Sequence, residues 1–457
     1  MLANIANTFA NCFKIPELKS RIIFTLMILA ICRVIAWVPV PGLDATALRE
    51  WTEANPNNLD QGILGMYSLF TGGALQKCAV GALGIMPYIT ATIIIQLLTA
   101  VVPTLSKLAR EEGGRAKMIQ YGRYLTVVLC LFHGSLMTLG WENPSKLFGG
   151  FPGQLVLDPG WWYRIETVVV LTTGTLLLMW LGEQITERGI GNGVSLVITI
   201  GIIEDLPRAA QGIHIMFWPE GAVSKFNLFH GVALVLLLLA VIAGIIAITQ
   251  AQRKIPVTYT QRTVGRKVFA GGTNYMPLRI NYAGVMPIIF AQAILMFPSM
   301  IFFKLGSLTD IKFFNELGVQ LNEGHFTYYA LYSLMILFFS YFWVATQFNE
   351  IQISDDLKKH GGYIPGIRPG AATSDFLHRT MSRITLAGAI FLTVIAVVPQ
   401  ALGDFFGVPP AVSRFFGGTS MLITVGVVLD TMRQMESHLL MRHYDGFLKK
   451  GRIRGRF

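Results

Sequence analysis

Charge is what this chain has least of. Only 14% of its 457 residues are Asp, Glu, Lys or Arg, against roughly 25% in an ordinary soluble domain. Hydrophobic types supply 53% and the mean hydropathy is +0.53. A soluble chain could not hide that much apolar surface behind so few charges. Length alone would allow about three globular domains, but this composition overrides it and points to a membrane. Disorder, fibrous repeats, coiled coil and a secreted disulfide scaffold are excluded. Cysteine is scarce too. Cys12, Cys32, Cys78 and Cys130 lie in or beside apolar stretches, with no close pairing and no histidine at ligand spacing. They read as small packing residues rather than metal ligands or disulfides. The Gly-rich loop with Lys-Ser/Thr that would cradle phosphates is missing, so ATP hydrolysis is not expected. His and Glu at metal spacing, or a Ser with a partner base, are missing as well. That disfavours an intramembrane protease. No cofactor is expected.

What the sequence does hold is a series of long apolar runs. Ten candidate spans fall at 22–38, 78–102, 121–140, 162–182, 190–206, 229–249, 282–303, 327–348, 384–402 and 418–436. Each approaches the roughly 20 residues needed to cross hydrocarbon. The runs are solidly apolar rather than alternating, so helices are expected and a barrel is not. The first run is long for a signal peptide and lacks a small-residue cleavage pattern after it, so it reads as a span. Charge then orients the chain. The N-terminus, the loops 104–123, 183–190, 250–281 and 349–383, and the tail from Asp430 share one side. That side holds 27 of the 37 Lys and Arg but 12 of the 26 Asp and Glu. The positive-inside rule places it, with both termini, in the cytoplasm. The external segment 204–228 divides the chain into halves of five spans each. An odd count makes the second half start from the opposite side, the arithmetic of an inverted repeat. The expected domains are 1–211, 212–440 and a basic tail 441–457.

The middle of every span lacks Asp, Glu and Lys. Arg33, Glu166 and Glu183 lie where snorkelling can reach an interface, and His133 is the one central histidine. Ion-coupled transporters usually need a mid-membrane relay, and a K⁺-type filter would need a carbonyl-lining loop; neither is here. A ten-helix secondary transporter of a small neutral solute remains the rival, and a poreless membrane scaffold a weaker one. Between spans one and two, Met66–Leu75 is too short to cross and too apolar for an ordinary loop. With its break at Gly72-Gly73 it reads as a re-entrant or interfacial element. Pro87 in span two and Pro287 and Pro298 in span seven are expected to kink or open their helices.

Several stretches carry a family likeness. They are Met66–Leu75 with Gly84–Thr99, Ile185-Thr-Glu-Arg-Gly-Ile-Gly-Asn-Gly193, Gln252–Ala270, Ala283-Gly-Val-Met-Pro287 and Gly362-Tyr-Ile-Pro-Gly-Ile-Arg-Pro-Gly370. In this order they resemble the SecY family, the pore subunit of the general protein-translocation channel, over essentially the whole chain. The resemblance implies an all-α polytopic fold of ten transmembrane helices in two inverted five-helix halves around an hourglass pore. It implies a re-entrant plug helix within 64–76, carried by Ser68, Leu69, Phe70, Gly72, Gly73 and Leu75. It implies an apolar ring at the waist from Ile85, Ile89, Val197 or Ile198, Ile288 and Ile423. Such a ring could dewet and close around any chain without preferring a sequence. A lateral gate between spans two and three and spans seven and eight would carry Thr92, His133, Asn281 and Pro287. The family often has an amide near His133, so the histidine is a departure.

The resemblance also implies partners: SecE, SecG, the SecA ATPase, the ribosome, signal sequences, unfolded polypeptide and membrane lipid. The location would be the bacterial inner membrane, with the thylakoid a minor alternative. Loop 250–281 holds Arg253, Lys254, Arg262, Arg266, Lys267 and Arg279 with no acid, and loop 349–383 holds Lys358, Lys359, Arg368, Arg379 and Arg383. Long basic loops with aromatics suit an acidic protein surface or rRNA. Arg368 sits between Pro365 and Gly370, in a stiff turn that would hold one guanidinium forward.

Overall fold

The computed structural model describes residues 15–54, 68, 70–111, 113–144, 151, 153–218, 226–259, 262–264, 267–269, 272–309, 311–322, 324–409, 412–413, 415 and 417–450. Its helices, in chain order, are α1 (Pro16–Ile35), α2 (Ala45–Ala54), α3 (Met86–Val101), α4 (Pro103–Arg110), α5 (Gly114–Glu142), α6 (Trp161–Arg188), α7 (Gly193–Glu204), α8 (Leu206–Phe217) and α9 (Leu228–Gln250). Four strands follow: β1 (Gln252–Tyr259), β2 (Arg262–Val264), β3 (Lys267–Phe269) and β4 (Thr273–Arg279). Then come α10 (Met286–Thr309), α11 (Lys312–Gln320), α12 (Phe326–Gln347), α13 (Glu350–Lys359), β5 (Gly362–Tyr363), α14 (Ala371–Phe406) and α15 (Gly418–Lys450).

Helix occupies every predicted span, but not all of it is of crossing length. Among the described residues, five stretches are long and apolar enough to cross a membrane: Ala116–Glu142, Trp161–Arg188, Leu228–Gln250, Phe326–Lys359 and Ala371–Phe406. A sixth is gained if α3 and α4, bent by 106° at Val102, count as one. The predicted fifth span contains α7, which has only 12 residues. Asn192 starts that helix by accepting the Ser195 N–H at 3.3 Å, satisfying one orphan donor of the first turn. Two prolines expected to kink their helices instead begin them. Pro87 lies in the first turn of α3, whose N-cap is Ile85, and Pro287 is the second residue of α10. A missing N–H costs nothing there. Pro298 does fall inside α10.

The chain packs as two compact units. One comprises Met1–His214, Pro409–Ala411 and Ile423–Phe457; the other comprises Ile215–Val408 and Val412–Leu422. In the first, α6 is the central helix, packed on α1, α5 and α7, while α3 packs on α5. Close approach to α6 needs a missing side chain: a Cβ on Gly174 would run into the Val80 carbonyl. The far part of α15 returns to this unit through a cluster of Leu18, Ile190 and Met435. Gln434 accepts the Gly191 N–H at 2.8 Å, and the Thr25 hydroxyl accepts the Ile190 N–H at 3.1 Å. In the second unit, α14 packs on α9, α12 and α13, and α10 on α11 and α12. Leu228, Phe229, Val232, Val235, Leu236 and Leu239 of α9 stay exposed, an apolar outer face.

Strands appear where the sequence suggested only loops. β1 pairs antiparallel with β4 from Gln252↔Arg279 to Thr258↔Thr273, and β5 joins the other edge of β1 at Thr258↔Tyr363 and Tyr259↔Gly362. The inward residues Ile255, Val257 and Leu278 bury against Val344, Phe348, Ile364, Leu377, Met381 and Ile384. The two basic loops are therefore one sheet-based body seated on α12 and α14.

The Gly174 contact yields a prediction. Gly174→Leu overpacks α6 against Val80 and costs about 1–3 kcal/mol, read as a lower unfolding temperature in detergent. Gly122→Ala, inside α5 where a Cβ meets nothing within 4 Å, is expected instead to raise stability by about 0.5–1 kcal/mol, the helix-propensity gain of Ala over Gly.

Candidate functional site

From Gly72 onward the described part of the expected re-entrant segment is built from turns. Leu69 and residues 64–67 lie outside the described residues. Ser68 and Phe70–Thr71 carry one helical turn; residues 72–85 then proceed by turns until α3 begins. Gly72 and Gly73 adopt φ of +60° and +70°, a conformation that side chains with a Cβ resist. The turn is closed by Gly73 N–H to Ser68 O at 3.1 Å, and the Gln76 amide donates to the Ser68 hydroxyl at 3.2 Å. Ser68, Phe70, Thr71, Ala74, Leu75 and Gln76 are all buried. Of the stretch expected to form the plug helix, the described part is helical at Ser68, Phe70 and Thr71 and continues as buried turns from Gly72.

This segment is clasped from α1 and α7. Arg33 forms an ion pair with Glu204 and donates to the Gly72 carbonyl at 3.4 Å. Lys77 reaches the other Glu204 oxygen at 2.6 Å and lies 3.6 Å above the Trp37 ring. Burial, followed by the nearby Arg33, Arg208 and Arg49, pulls the Lys77 ammonium down to about 8, with Asp205 opposing. In the sequence Arg33 and Glu204 stand out separately, and nothing local joins them. The usable signal is an arginine inside an apolar run.

All six residues expected at the waist are buried. Ile85 and Val197 line one small cavity of about 20 Å³ together with Phe70, Thr71, Cys32, Arg33 and Gly201. Phe70–Thr71, the α3 N-cap and α7 therefore meet at one point in the first unit. Val197, not Ile198, lines that space. Ile89 follows one turn along α3, Ile423 lies in α15, and Ile288 is fully buried in the second unit.

Two of the residues expected at a lateral gate spend their polar groups locally. The Thr92 hydroxyl donates to Tyr88 O at 2.8 Å within its own helix. The Asn281 amide donates to Gly284 O at 3.0 Å, closing the turn with Gly284 at φ +64° that precedes α10. His133 lies beside Phe132, ring centroids 5.8 Å apart.

On the basic loops, Arg253, Lys254, Arg279 and Lys358 are exposed. Arg262 and Lys267 belong to the short β2–β3 hairpin, and Arg266 lies outside the described residues. Arg368 is exposed at the end of a braced turn. Ile367 N–H bonds to Ile364 O at 3.0 Å, the Thr373 hydroxyl donates to Arg368 O at 2.9 Å, and the Ser354 hydroxyl donates to Gly370 O at 2.7 Å. Gly366 and Gly370 supply positive φ. The fold thus fixes the Arg368 backbone and leaves its guanidinium to solvent.

Comparison with known proteins places this architecture among polytopic membrane channels. Two solved structures share the fold. One, a protein-conducting channel, matches with a TM-score of 0.57 over 91% of both chains at 19% identity. The other, a translocation channel whose SecY plug domain is described as stabilising the closed state and maintaining a membrane seal, gives 0.55 over 93% of this chain and 96% of that one, also at 19% identity. The SecY family model matches residues 79–432. Protein translocase subunit SecY of Chlamydia trachomatis is 41% identical over 98% of this chain and 99% of that one, and the Thermotoga maritima subunit is 41% identical over the same shares. The Escherichia coli K12 subunit is 40% identical over 96% of each. The chain belongs to the SecY family. It is a pore-forming subunit of the protein-conducting translocase, a passive channel and not an enzyme.

Proposed function

We propose that this chain passes unfolded polypeptide through a waist of Ile85, Ile89, Val197, Ile198, Ile288 and Ile423, closed at rest by the plug segment 64–76. The observation that carries the reading is the cavity shared by Ile85, Val197, Phe70 and Thr71. An apolar ring roofed by a buried turn can seal when empty and yield when a chain enters. Apolar side chains make no sequence-specific bonds, so the waist tolerates any substrate.

Ten spans in two inverted halves, with both termini in the cytoplasm, best accommodate the one-sided placement of 27 of the 37 basic residues. The setting would be a bacterial inner membrane. Thr92, His133, Asn281 and Pro287 would lie along a lateral gate that lets signal sequences and transmembrane segments pass into lipid. Because Thr92 and Asn281 are satisfied locally, such a gate would be held by apolar packing more than by polar bonds. The basic sheet body, with Arg253, Lys254, Arg262, Arg266, Lys267, Lys358 and Arg368, would dock the SecA motor or the ribosome, including rRNA. SecE and SecG would complete the complex. Energy would come from SecA ATP hydrolysis, ribosomal elongation or the proton-motive force.

Two tests follow. A stalled secretory chain is expected to crosslink to cysteines placed at Ile89 and at Ile288; absence of a crosslink at either position, in a complex shown to be engaged, refutes the waist. Arg368→Glu is expected to lower SecA-driven transport by about tenfold or more, since reversal breaks a charge-assisted contact of about 1.5–3 kcal/mol. Assembly should be unchanged, and unaltered transport refutes the docking role.

A further inference from the structure

We infer that Glu204 is the latch of the plug, one carboxylate shared by Arg33 and Lys77 that pins the Gly72 turn to the first unit. The inference rests on reading segment 64–76 as the plug. Three separate parts of the sequence supply the cluster. Arg33 comes from α1, Lys77 follows the plug turn directly, and Glu204 ends α7. Arg33 divides its guanidinium between the Glu204 carboxylate and the Gly72 carbonyl, 3.4 Å away. Lys77 takes the second carboxylate oxygen at 2.6 Å. Each of the three side chains is only about one-fifth exposed: 21% for Arg33, 19% for Lys77 and 23% for Glu204. Water screens them less than it would screen a surface pair.

The turn itself touches the latch. A Cβ added to Gly72 would lie 2.5 Å from Arg33 Nη1, 2.9 Å from Gly201 Cα and 3.1 Å from Glu204 Oε2. The plug backbone, the α7 backbone and the ion cluster are therefore in direct contact, and the turn cannot shift without disturbing the ions. The charge count makes Glu204 the sensitive member. Two cations converge on this carboxylate, while the adjacent Asp205 is 3.9 Å from Arg208. Neutralising Glu204 removes both ion pairs and leaves Arg33 and Lys77 facing each other beside the turn they held, with Asp205 as the remaining nearby carboxylate. The same burial that strengthens the pairs makes that unbalanced state costly. This gives a reason for an arginine inside an apolar span, since it ties the moving segment to a fixed helix.

The test is resting ion conductance of the full complex in planar bilayers, with no substrate present. Deleting residues 68–76 sets the scale for an unplugged channel. Glu204→Gln is expected to raise resting conductance about tenfold, the change that loss of a charge-assisted contact produces. Glu204→Asp, which keeps the charge, should stay nearer the parent. Arg33→Gln should leak like Glu204→Gln, and the double variant no more than the leakier single one, because both act through one cluster. Signal-dependent translocation by the same preparations identifies folded channels. If Glu204→Gln does not assemble, Arg33→Gln and Lys77→Gln carry the test. Charge-removed variants as tight as the parent, beside a leaky deletion, overturn the latch and leave the plug reading standing. A deletion that stays tight overturns the plug reading and the latch with it. Leaks that multiply in the double variant overturn the shared carboxylate.

Discussion

Residues 72–85 run through the interior of the first unit without forming a helix, and much of the structure serves to make that tolerable. Peptide groups that lack an intrahelical partner must find one elsewhere when water is excluded. Here they do so in two ways. Turn bonds close the segment on itself, as in Ala79 N–H to Ala74 O at 3.0 Å and Gly84 N–H to Gly81 O at 2.8 Å. Bonds to the end of α1 and the residues after it tie it outward: Val40 N–H to Cys78 O and Val80 N–H to Val38 O, both 2.8 Å, and Gly81 N–H to Ile35 O at 3.3 Å. Ala74, Leu75, Cys78, Ala79, Ala82 and Leu83 are fully buried there. A helix would have satisfied its own backbone and needed none of this. A chain of turns depends on its neighbours, so it can be released when the neighbours move.

The two units answer different physical demands. The first surrounds the irregular segment with small residues and a few half-buried charges, giving close approach without rigid interlocking. Gly174 lets α6 come against Val80, and Gly72 lets its turn come against Gly201 of α7. The second carries a sheet whose inner face is continuous with the α12 and α14 core and whose outer face is basic. Arg368 has its carbonyl engaged by Thr373 and its turn braced through Gly370, so force applied at the exposed side chain is transmitted to α14 rather than absorbed by a floppy loop.

Five of the ten expected spans, or six with the bent pair α3–α4, answer to stretches long and apolar enough to cross among the described residues; these were legible because an apolar run of membrane length has few other uses. Their starting points were not. Pro87 and Pro287 look like kinks when a run is treated as one helix, yet each stands where a first turn dispenses with its N–H. The cue was the positive-φ glycine three residues earlier, Gly84 and Gly284. The sheet escaped notice because β1 begins with Gln-Arg-Lys and pairs with strands separated from it in sequence, including two residues from the other basic loop. The Arg33–Glu204–Lys77 cluster was hidden for the same reason: no local pattern joins an arginine of the first helix to a glutamate at the end of the seventh. The waist residues rest on resemblance alone; of Val197 and Ile198, only Val197 lines the small cavity beside Phe70 and Thr71.

The central claim is that the buried turn segment is the part that moves. Hydrogen–deuterium exchange over residues 72–85, in the resting complex and in one holding a stalled secretory chain, tests it most directly. The account predicts amides protected at rest and exchanging at least about tenfold faster once a chain is engaged, since the turn bonds and the bonds to the end of α1 open together. Equal protection in both states, in a complex shown to be occupied, would contradict it.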